Sequence, residues 1–483
     1  MHIRIIVDPL RLWGWQAKLI AALRAEGRRV DIDFSTDERR RARPLAYGLL
    51  AAFERITARG PELIYANPIE AGEFDSPRAD PDAHADFVVD ASGCGLSTDP
   101  DIISLLYDGA SEADAMLALC AGRVPRLSLA KNGSILQEVL PAIETPRALT
   151  RSLEHLFSRA LTLCRMAPRR AADAAQASHV TTPTERATFS SAAAARLAGN
   201  CVAQRLQSLL TTAPRWRTGV RRVSNDRVID ALAWPAAEYS VAPDDGRRYL
   251  ADPFPVWRNG VCHLFVEEYP FATGKGVLSY ATLDADGRFS PLKPALEATH
   301  HLSYPMIFER DGEVWMIPES SNARRIELYR ADPFPDRWTL ERVPFEDVIA
   351  SDMTFLEHGG KLWLLGTLAE ENGSTWDGLC AYSADSLMGE WRPHPLNPLI
   401  IDASCARPAG MAAVTARGLV RPVQDCRQRY GGALALARID RLDEEGFEQT
   451  VIARLAPDAR WKAIGVHTLN EAGGVEVVDF LSE

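Results

Sequence analysis

Residues 251–269 read ADPFPVWRNGVCHLFVEEY, and residues 301–320 read HLSYPMIFERDGEVWMIPES. The two stretches are variations on one hairpin: a strand, a glycine turn and a second strand. Asp252 is followed eight residues later by Gly260, Tyr304 by Gly312, Asp352 by Gly360, Gly410 by Gly418 and Val466 by Gly474. After each second glycine comes a run of strand character: VCHLFVEE, EVWMIPES, KLWLLGTL, LVRPVQDC and VEVVDFLS. The starts lie 52, 48, 58 and 56 residues apart. Hairpins recurring at about fifty residues are the signature of propeller blades.

Working outward from these hairpins, everything after about Trp216 reads as short strands with glycine or Asp-Gly turns. The fifth repeat ends at the C-terminus after two strands. The stretch before the first repeat, RTGVRRVS followed by VIDALAW, is therefore expected to supply the strands that close a five-bladed propeller over residues 214–483. In a blade the innermost strand lines the central channel and the second runs antiparallel to it. First-strand starts (Asp252, Tyr304, Asp352) and the positions seven residues after each glycine (Glu267, Glu319, Thr367, Asp425) then meet at one mouth. Unpaired carboxylates are not tolerated inside sheets, so such a ring implies salt bridges, a metal or a polar ligand. Arg407, Arg421, His467 and Gln424 fall at neighbouring positions as partners. The plain structural alternative is that each carboxylate ties neighbouring blades together through backbone N–H groups. Glu268 should face away from Glu267, because strand neighbours alternate faces. Trp257, Trp315 and Trp363 are expected in the core between blades, and Tyr304 and Tyr269 to stack on a ligand.

The first half has a different pattern. HIRIIV (2–7) suits a buried strand, residues 13–28 carry apolar side chains at helical spacing, and VDIDF (30–34) returns to strand alternation. That is a βαβ unit. With LIYA (63–66) and ADFVVDAS (85–92) as further strands, and helices over 45–57 and 111–122, residues 1–145 are expected to form a Rossmann-like α/β domain with a mainly parallel sheet. The first turn is DPLRLWGW and lacks the glycines of GxGxxG. Ligands of such a sheet would lie at strand C-termini, near Asp8, Asp90 or the ASGCG turn at 91–95, although caps and tight turns explain these residues equally well. Residues 146–213, rich in Ala, Arg and Leu, read as a helical connector broken by VTTPTERATFSS.

Composition narrows the function. A net charge of −11 argues against a nucleic-acid partner, which would need a basic face. Eight cysteines without a CxxC pair read as free thiols of a reducing compartment. No apolar run approaches twenty residues and no cleavable leader is evident, so no transmembrane segment and a cytoplasmic location are expected.

Several multi-residue motifs occur together and in order: ADPFPVWRNGVCHLFVEE, HLSYPMIFERDGEVWMIPES, LYRADPFPDRWTL, CARPAGM, RPVQDCRQRYGGAL and GVHTLN. Over roughly residues 214–480 the chain resembles the N-terminal propeller domain of the plant glucosamine inositolphosphorylceramide transferases and their bacterial relatives. The resemblance implies a propeller fold and a carbohydrate context. It places the transferase chemistry of the plant protein in a separate C-terminal domain that this chain lacks. The first half is loosely similar to a formyltransferase, without that family's Asn, His and Asp constellation. More distantly, the propeller is similar to glycoside hydrolase family 43. That likeness implies Asp252 as general base and Asp352 as the neighbour that modulates pKa values. Its fourth-blade acid is replaced here by Asp425 preceded by Gln424, and Glu319 lies in blade two.

The expectation is a carbohydrate-active enzyme, foremost a glycosyltransferase of glycan or glycolipid assembly. Asp252 is its base, Glu319 or Asp425 its acid and Asp352 an orienting neighbour. Glu267, Tyr304, Arg407, Gln424, Asp425 and His467 are the expected sugar contacts. No cofactor and no metal are assigned, and a nucleotide-sugar donor is the co-substrate that transfer would call for. A family 43-like hydrolase and a non-catalytic glycan-binding scaffold are the alternatives.

Overall fold

The computed structural model describes residues 1–38, 45–57, 61–70, 72, 84–146, 148–170 and 178–180, isolated positions between 192 and 199, and residues 214–482 apart from 285 and 371. Its hairpin turns explain the glycine repeat. Asn259-Gly260, Asp311-Gly312, Gly359-Gly360 and Gly473-Gly474 are two-residue turns in which both residues have positive φ. That backbone matches the right-handed twist of the flanking strands and is open mainly to Gly and Asn or Asp. Blade four differs. Thr415 pairs with Gly418, so its turn residues are Ala416 and Arg417, and the glycine sits one position late.

The chain divides into two compact units: residues 1–211 with 372–374, and residues 212–371 with 375–483. The second is a five-bladed propeller. Blade one comprises Arg248–Arg258, Val261–Pro270, Val277–Leu283 and Lys293–Leu296, and blade two Ser303–Arg310, Glu313–Glu319, Arg325–Ala331 and Trp338–Glu346. Blade three is built on Ile349–His358, Lys361–Ala369 and Gly378–Ala384, and blade four on Ala413–Thr415, Gly418–Asp425, Ala433–Leu442 and Phe447–Leu455. Blade five joins C-terminal strands Ala463–Gly465, Leu469–Ala472 and Val475–Ser482 to Arg215–Arg222 and Ser240–Val241, which precede blade one. The expected closure therefore occurs, but VIDALAW takes no part as a strand. Val228–Ala231 is a helical turn whose first N–H donates to buried Glu476, while Val228 and Ile229 fill the core.

Within each of the first three blades the inner strand carries a bulge at the repeat position. Register slips between Ala251 and Phe254, Ser303 and Met306, and Ser351 and Thr354. Asp252, Tyr304 and Asp352 sit at these slips with φ of 48°, 42° and 52°. A bulge leaves one residue unpaired and re-aims its side chain. Apolar faces fill the space between blades, with Phe308 stacked on Phe355 at 4.0 Å. Trp315 and Trp363 pack there as expected. Trp257 does not: it lies three residues before its turn glycine rather than three after, and is 39% exposed beneath Arg222.

The first unit holds a mixed sheet of β1 (His2–Val7), β2 (Arg29–Phe34), β3 (Phe87–Asp90), β4 (Ile103–Tyr107), β5 (Leu127–Lys131), β6 (Ser134–Val139) and β7 (Ser178–His179), in the order β2-β1-β3-β4-β5-β6-β7. Pairings from β2 to β4 are parallel and those from β4 to β7 antiparallel, so the sheet is not mainly parallel. LIYA forms no strand, because buried Glu154 takes the N–H groups of Ile64, Tyr65 and Ala66. Glu154 belongs to the helix Leu149–Arg170, which lies in the stretch expected to be a connector yet packs inside this unit against α1 (Gly14–Ala25). VTTPTERATFSS beyond Val180 and most of the helical pattern at 191–210 lie outside the described residues. No helix among the described residues is long and apolar enough to cross a membrane.

Candidate functional site

A cavity of about 310 Å³ receives side chains from all five blades: Tyr249, Asp252 and Glu267 from blade one, Glu319 and Ser321 from blade two, Ser351 and Trp376 from blade three, Arg407 and Tyr430 from blade four, Trp216 and His467 from blade five. Only an end of the central axis is common to five blades, so this is the channel mouth. It brings together Asp252, Glu267, Glu319, Arg407 and His467 from the sequence reading.

Asp252 is held on all sides. Its Oδ1 accepts from the Thr468 hydroxyl at 2.9 Å and lies 3.2 Å from His467 Nε2, while Oδ2 accepts the Tyr304 N–H at 3.0 Å. Its own N–H donates to Asp479 Oδ2 at 2.8 Å. Asp479 also holds the other face of the imidazole, with Oδ1 2.7 Å from His467 Nδ1. Burial disfavours the His467 cation, but Asp479 and Asp252 outweigh it and raise its pKa. Burial raises Asp252, opposed by His467 and reinforced by Asp479. Ligand atoms of Asp252, His467 and Asp479 lie within 4.8 Å of one another, close enough to share a cation. Here their own hydrogen bonds already satisfy them. Asp479 escaped the sequence reading because it lies five rather than seven residues after its glycine, on the same strand face but one pleat earlier.

Asp352 is closed off. Arg407 Nε lies 2.7 Å from its Oδ2 and Gln424 Nε2 2.8 Å from the same atom. Burial pushes its carboxyl well up, against the pull of Arg407. Glu319 spends Oε2 on Arg407 and on the Asp352 N–H, both at 3.3 Å, and Oε1 on Ser321 at 2.8 Å. Glu267 is different. It is 5% exposed, with the Tyr249 hydroxyl at 3.4 Å and His301 Nε2 at 3.5 Å. Burial, then the charges of Asp252 and Glu319, push it well above the usual carboxylate range. The Gly276 N–H donates to His301 Nδ1 at 2.9 Å, so neutral His301 carries its proton on Nε2, toward Glu267. Gly276 is needed for this packing: a Cβ there would lie 2.5 Å from Leu302 O, 2.6 Å from His301 Cε1 and 2.9 Å from Glu267 Oε1.

Some expected contacts are displaced. Tyr304 is fully buried, edge-on to Phe254, and its hydroxyl is shared with Thr354 and the Gly410 N–H, so it cannot stack on a ligand. Asp425 leaves the mouth and pairs with Arg427 and Arg454. The late glycine of blade four explains this: counting seven from Gly418 overshoots by one, and a one-residue step flips the strand face. Gln424 takes the inward position but touches Asp352 rather than the cavity. Arg421 lies away from the mouth, bonded to the carbonyls of Cys405 and Ala406. Tyr269 stacks on Tyr249, which is the cavity-lining partner of the two. The aromatic wall formed by Trp216, Tyr249, Trp376 and Tyr430 was missed, since these residues lie outside the repeat positions; Trp216 stacks on His467 at 3.8 Å.

In the first unit Asp8 is buried and accepts the Leu10 N–H, and Asp90 accepts the Ser92 N–H. The first N–H groups of α1 already donate to Asn67 and Tyr65 carbonyls, and Gly14 lies against the backbone of Ile64, where a Cβ would come within 2.0 Å of its carbonyl oxygen. That helix end is taken up by packing rather than held open for a phosphate.

Residues 224–469 match the sequence model of the family described as glucosamine inositolphosphorylceramide transferase 1, N-terminal. The chain belongs to this family. Two relatives named glucosamine inositolphosphorylceramide transferase 1 are similar to it. The one from Arabidopsis thaliana is 33% identical over 208 residues, covering 42% of this chain and 27% of the relative. The one from Oryza sativa subsp. japonica is 29% identical over 270 residues, covering 52% and 36%. The family match thus spans about a quarter to a third of these longer proteins. Among solved structures, a family 117 glycoside hydrolase from Zobellia galactanivorans aligns at 15% identity and TM-score 0.35, covering 56% of this chain and 90% of that one. An exo-beta-1,3-galactanase from Phanerochaete chrysosporium with galactose aligns at 13% and 0.32, covering 45% and 53%. At these TM-scores neither likeness carries an argument.

Proposed function

We propose that the propeller mouth binds a sugar and acts on a glycosidic bond, and that the chain is a carbohydrate-active enzyme of the transferase kind its family name suggests. The observation that carries this reading is the contrast between two carboxyl groups on one cavity. Burial raises the Asp252 carboxyl too, but a hydroxyl, an N–H and an imidazole whose cationic form is favoured all pull it back down, so it ionises more readily than Glu267. Glu267 has weak partners and a strongly raised pKa, a setting that keeps its proton. Carboxyl groups pushed apart in this way divide the roles of base and acid. The acid role, expected of Glu319 or Asp425, therefore moves to Glu267: Glu319 acts as an acceptor toward Arg407 and Ser321, and Asp425 is elsewhere. Asp352 orients Arg407 beneath the cavity. The aromatic wall suits the apolar face of a pyranose.

Transfer calls for an activated donor, and a nucleotide sugar is our candidate. The parallel β2-β1-β3-β4 part of the first unit supports a Rossmann-like reading of that unit, although its first helix end is occupied. The free cysteines fit a reducing, cytoplasmic location. A mouth that only binds glycans is favoured by the closure of Asp352.

The test is turnover of the full chain on a panel of nucleotide sugars and aryl glycosides. Asp252→Asn should lower the rate by about 10²–10⁴-fold. Glu267→Gln should be slow on poor leaving groups and recover on nitrophenyl glycosides, which need no protonation. Folded variants with unchanged turnover would reduce the mouth to a binding surface.

A further inference from the structure

Among the described residues, the two groups that reach the Glu267 carboxyl go to the same oxygen. The Tyr249 hydroxyl lies 3.4 Å and His301 Nε2 3.5 Å from Oε1. No described hydrogen bond reaches Oε2, yet it is not shut away as a buried orphan. Since Glu267 lines the cavity, Oε2 is the oxygen that meets a ligand. Both neighbours present a proton to Oε1. Burial raises the Tyr249 phenol and lowers the His301 imidazole, so the first keeps its proton and the second is neutral. The Gly276 N–H occupies His301 Nδ1 and leaves the imidazole proton on Nε2. The connection between the second and third strands of blade one holds this arrangement. The Lys275 ammonium donates to the Ala298 carbonyl at 2.6 Å and the Leu302 N–H to the Gly276 carbonyl at 3.1 Å, so residues on both sides of His301 are tied down. The Gly274 carbonyl accepts the Tyr269 hydroxyl at 2.9 Å, and the Tyr269 ring stacks on Tyr249 at 4.8 Å.

We propose that Tyr249 and His301 are positioning residues for Glu267: by donating to Oε1 they fix the carboxyl proton on Oε2, the oxygen that faces the sugar. This rests on the reading of Glu267 as the acid. In the reaction that proton passes from Oε2 to the glycosidic oxygen, which also takes the electron pair of the breaking C–O bond. Glu267 is left as a carboxylate, and the two donors then hold it, since hydrogen bonds to an ionised group are stronger than those to a neutral one. Contacts that are long in the free protein tighten at that point.

Infrared spectra of the full chain, each taken against the same protein carrying Glu267→Gln, isolate the carbonyl stretch of the protonated Glu267 carboxyl. His301→Phe and Tyr249→Phe should each move that band to higher frequency, because a donor to the carbonyl oxygen is lost. His301→Gln, which keeps an N–H at the Nε2 position, should restore it. Turnover is the second readout. On aryl glycosides with poor leaving groups His301→Phe should be about 10–100-fold slower, with a much smaller loss on nitrophenyl glycosides and recovery in His301→Gln. If His301→Phe does not fold, Tyr249→Phe carries both readouts. A band that stays put in the Phe variants, the lack of any such band in the wild type, or a loss equal for all leaving groups overturns the proposal. Band shifts in a chain that turns over none of the glycosides uphold the proton placement and sink the acid reading instead.

Discussion

The two sides of the mouth are built on different electrostatic terms. On the side of blades two to four, Asp352, Glu319, Arg407 and Gln424 form a closed network in which each charge has its partner. On the side of blade one, Glu267 is nearly as buried yet among the described residues meets only a distant tyrosine and a neutral histidine. The same repeat position thus holds a strut at Glu319 and a strained acid at Glu267. Position on the repeat brings a carboxylate to the mouth; the cation count around it decides what it does there.

The largest effect should come from opening the closed side. Arg407→Met leaves Asp352 and Glu319 without their cation, and removing one partner of a buried pair typically costs about 3–5 kcal/mol. Denaturant unfolding of the full chain measures it. Adding Asp352→Asn to Arg407→Met should recover part of the loss, because the orphaned charge goes with it. If Arg407→Met costs no more than a surface substitution, the two sides are not different in kind.

Gly276→Ala tests the loose side through its packing. The new methyl would press on the Leu302 carbonyl, the His301 ring and Glu267 together, and only the last two can move. Overpacking of this sort costs about 1–3 kcal/mol. We expect His301 to lose its Gly276 hydrogen bond, visible as a change in its ring ¹⁵N shifts. Sugar binding at the mouth should weaken by more than the stability loss explains.

The blade count was legible because positive-φ turns admit few residues, so Asn-Gly, Asp-Gly and Gly-Gly announce themselves at fixed spacing. The bulge positions were legible for the same reason, although only the structure shows why Asp252, Tyr304 and Asp352 behave alike. Tyr304 was misread because a bulge aims a side chain toward the axis without fixing its depth, and a tyrosine is long enough to bury itself. Asp479, His301 and the aromatic wall left little trace, since their roles arise from contacts across up to 227 residues of chain, as between Asp252 and Asp479. In the first unit LIYA carried strand character, but a carboxylate on a distant helix outbid the sheet for its N–H groups.

Glu267→Gln reverses the sign of the usual mutational effect. A carboxyl whose folded pKa is raised stabilises the fold fully below the ordinary carboxylate range, and that contribution is lost as pH rises toward the folded value. Gln cannot ionise, so the variant should match wild type in acid and exceed it at neutral pH by about 0.5–2 kcal/mol. Asp352 and Asp252, also raised, remain in the variant, so its stability still falls with pH but less steeply. Unfolding midpoints across this range measure the difference. Equal pH slopes in both proteins would place Glu267 on the closed side of the comparison.

The smallest effect separates position in the repeat from place in the site. Asp425 satisfies the seven-residue count and Gln424 does not, yet Gln424 touches Asp352 while Asp425 pairs with half-exposed Arg427 and Arg454. Asp425 is itself buried, but both its arginines are half-exposed and return to water when it is removed; Asp425→Asn should therefore cost about 1 kcal/mol and leave both turnover and sugar affinity unchanged. Gln424→Leu removes a donor from buried Asp352 and should cost about 1–3 kcal/mol. It should also push the Asp352 carboxyl still further up, because one of the bonds favouring its charged form is gone. Carboxyl ¹³C titration of the two variants reads this directly. If Asp425→Asn alters the mouth and Gln424→Leu does not, the register of blade four is one residue from where the hairpin at Ala416-Arg417 puts it, and the acid would have to be sought again at Asp425.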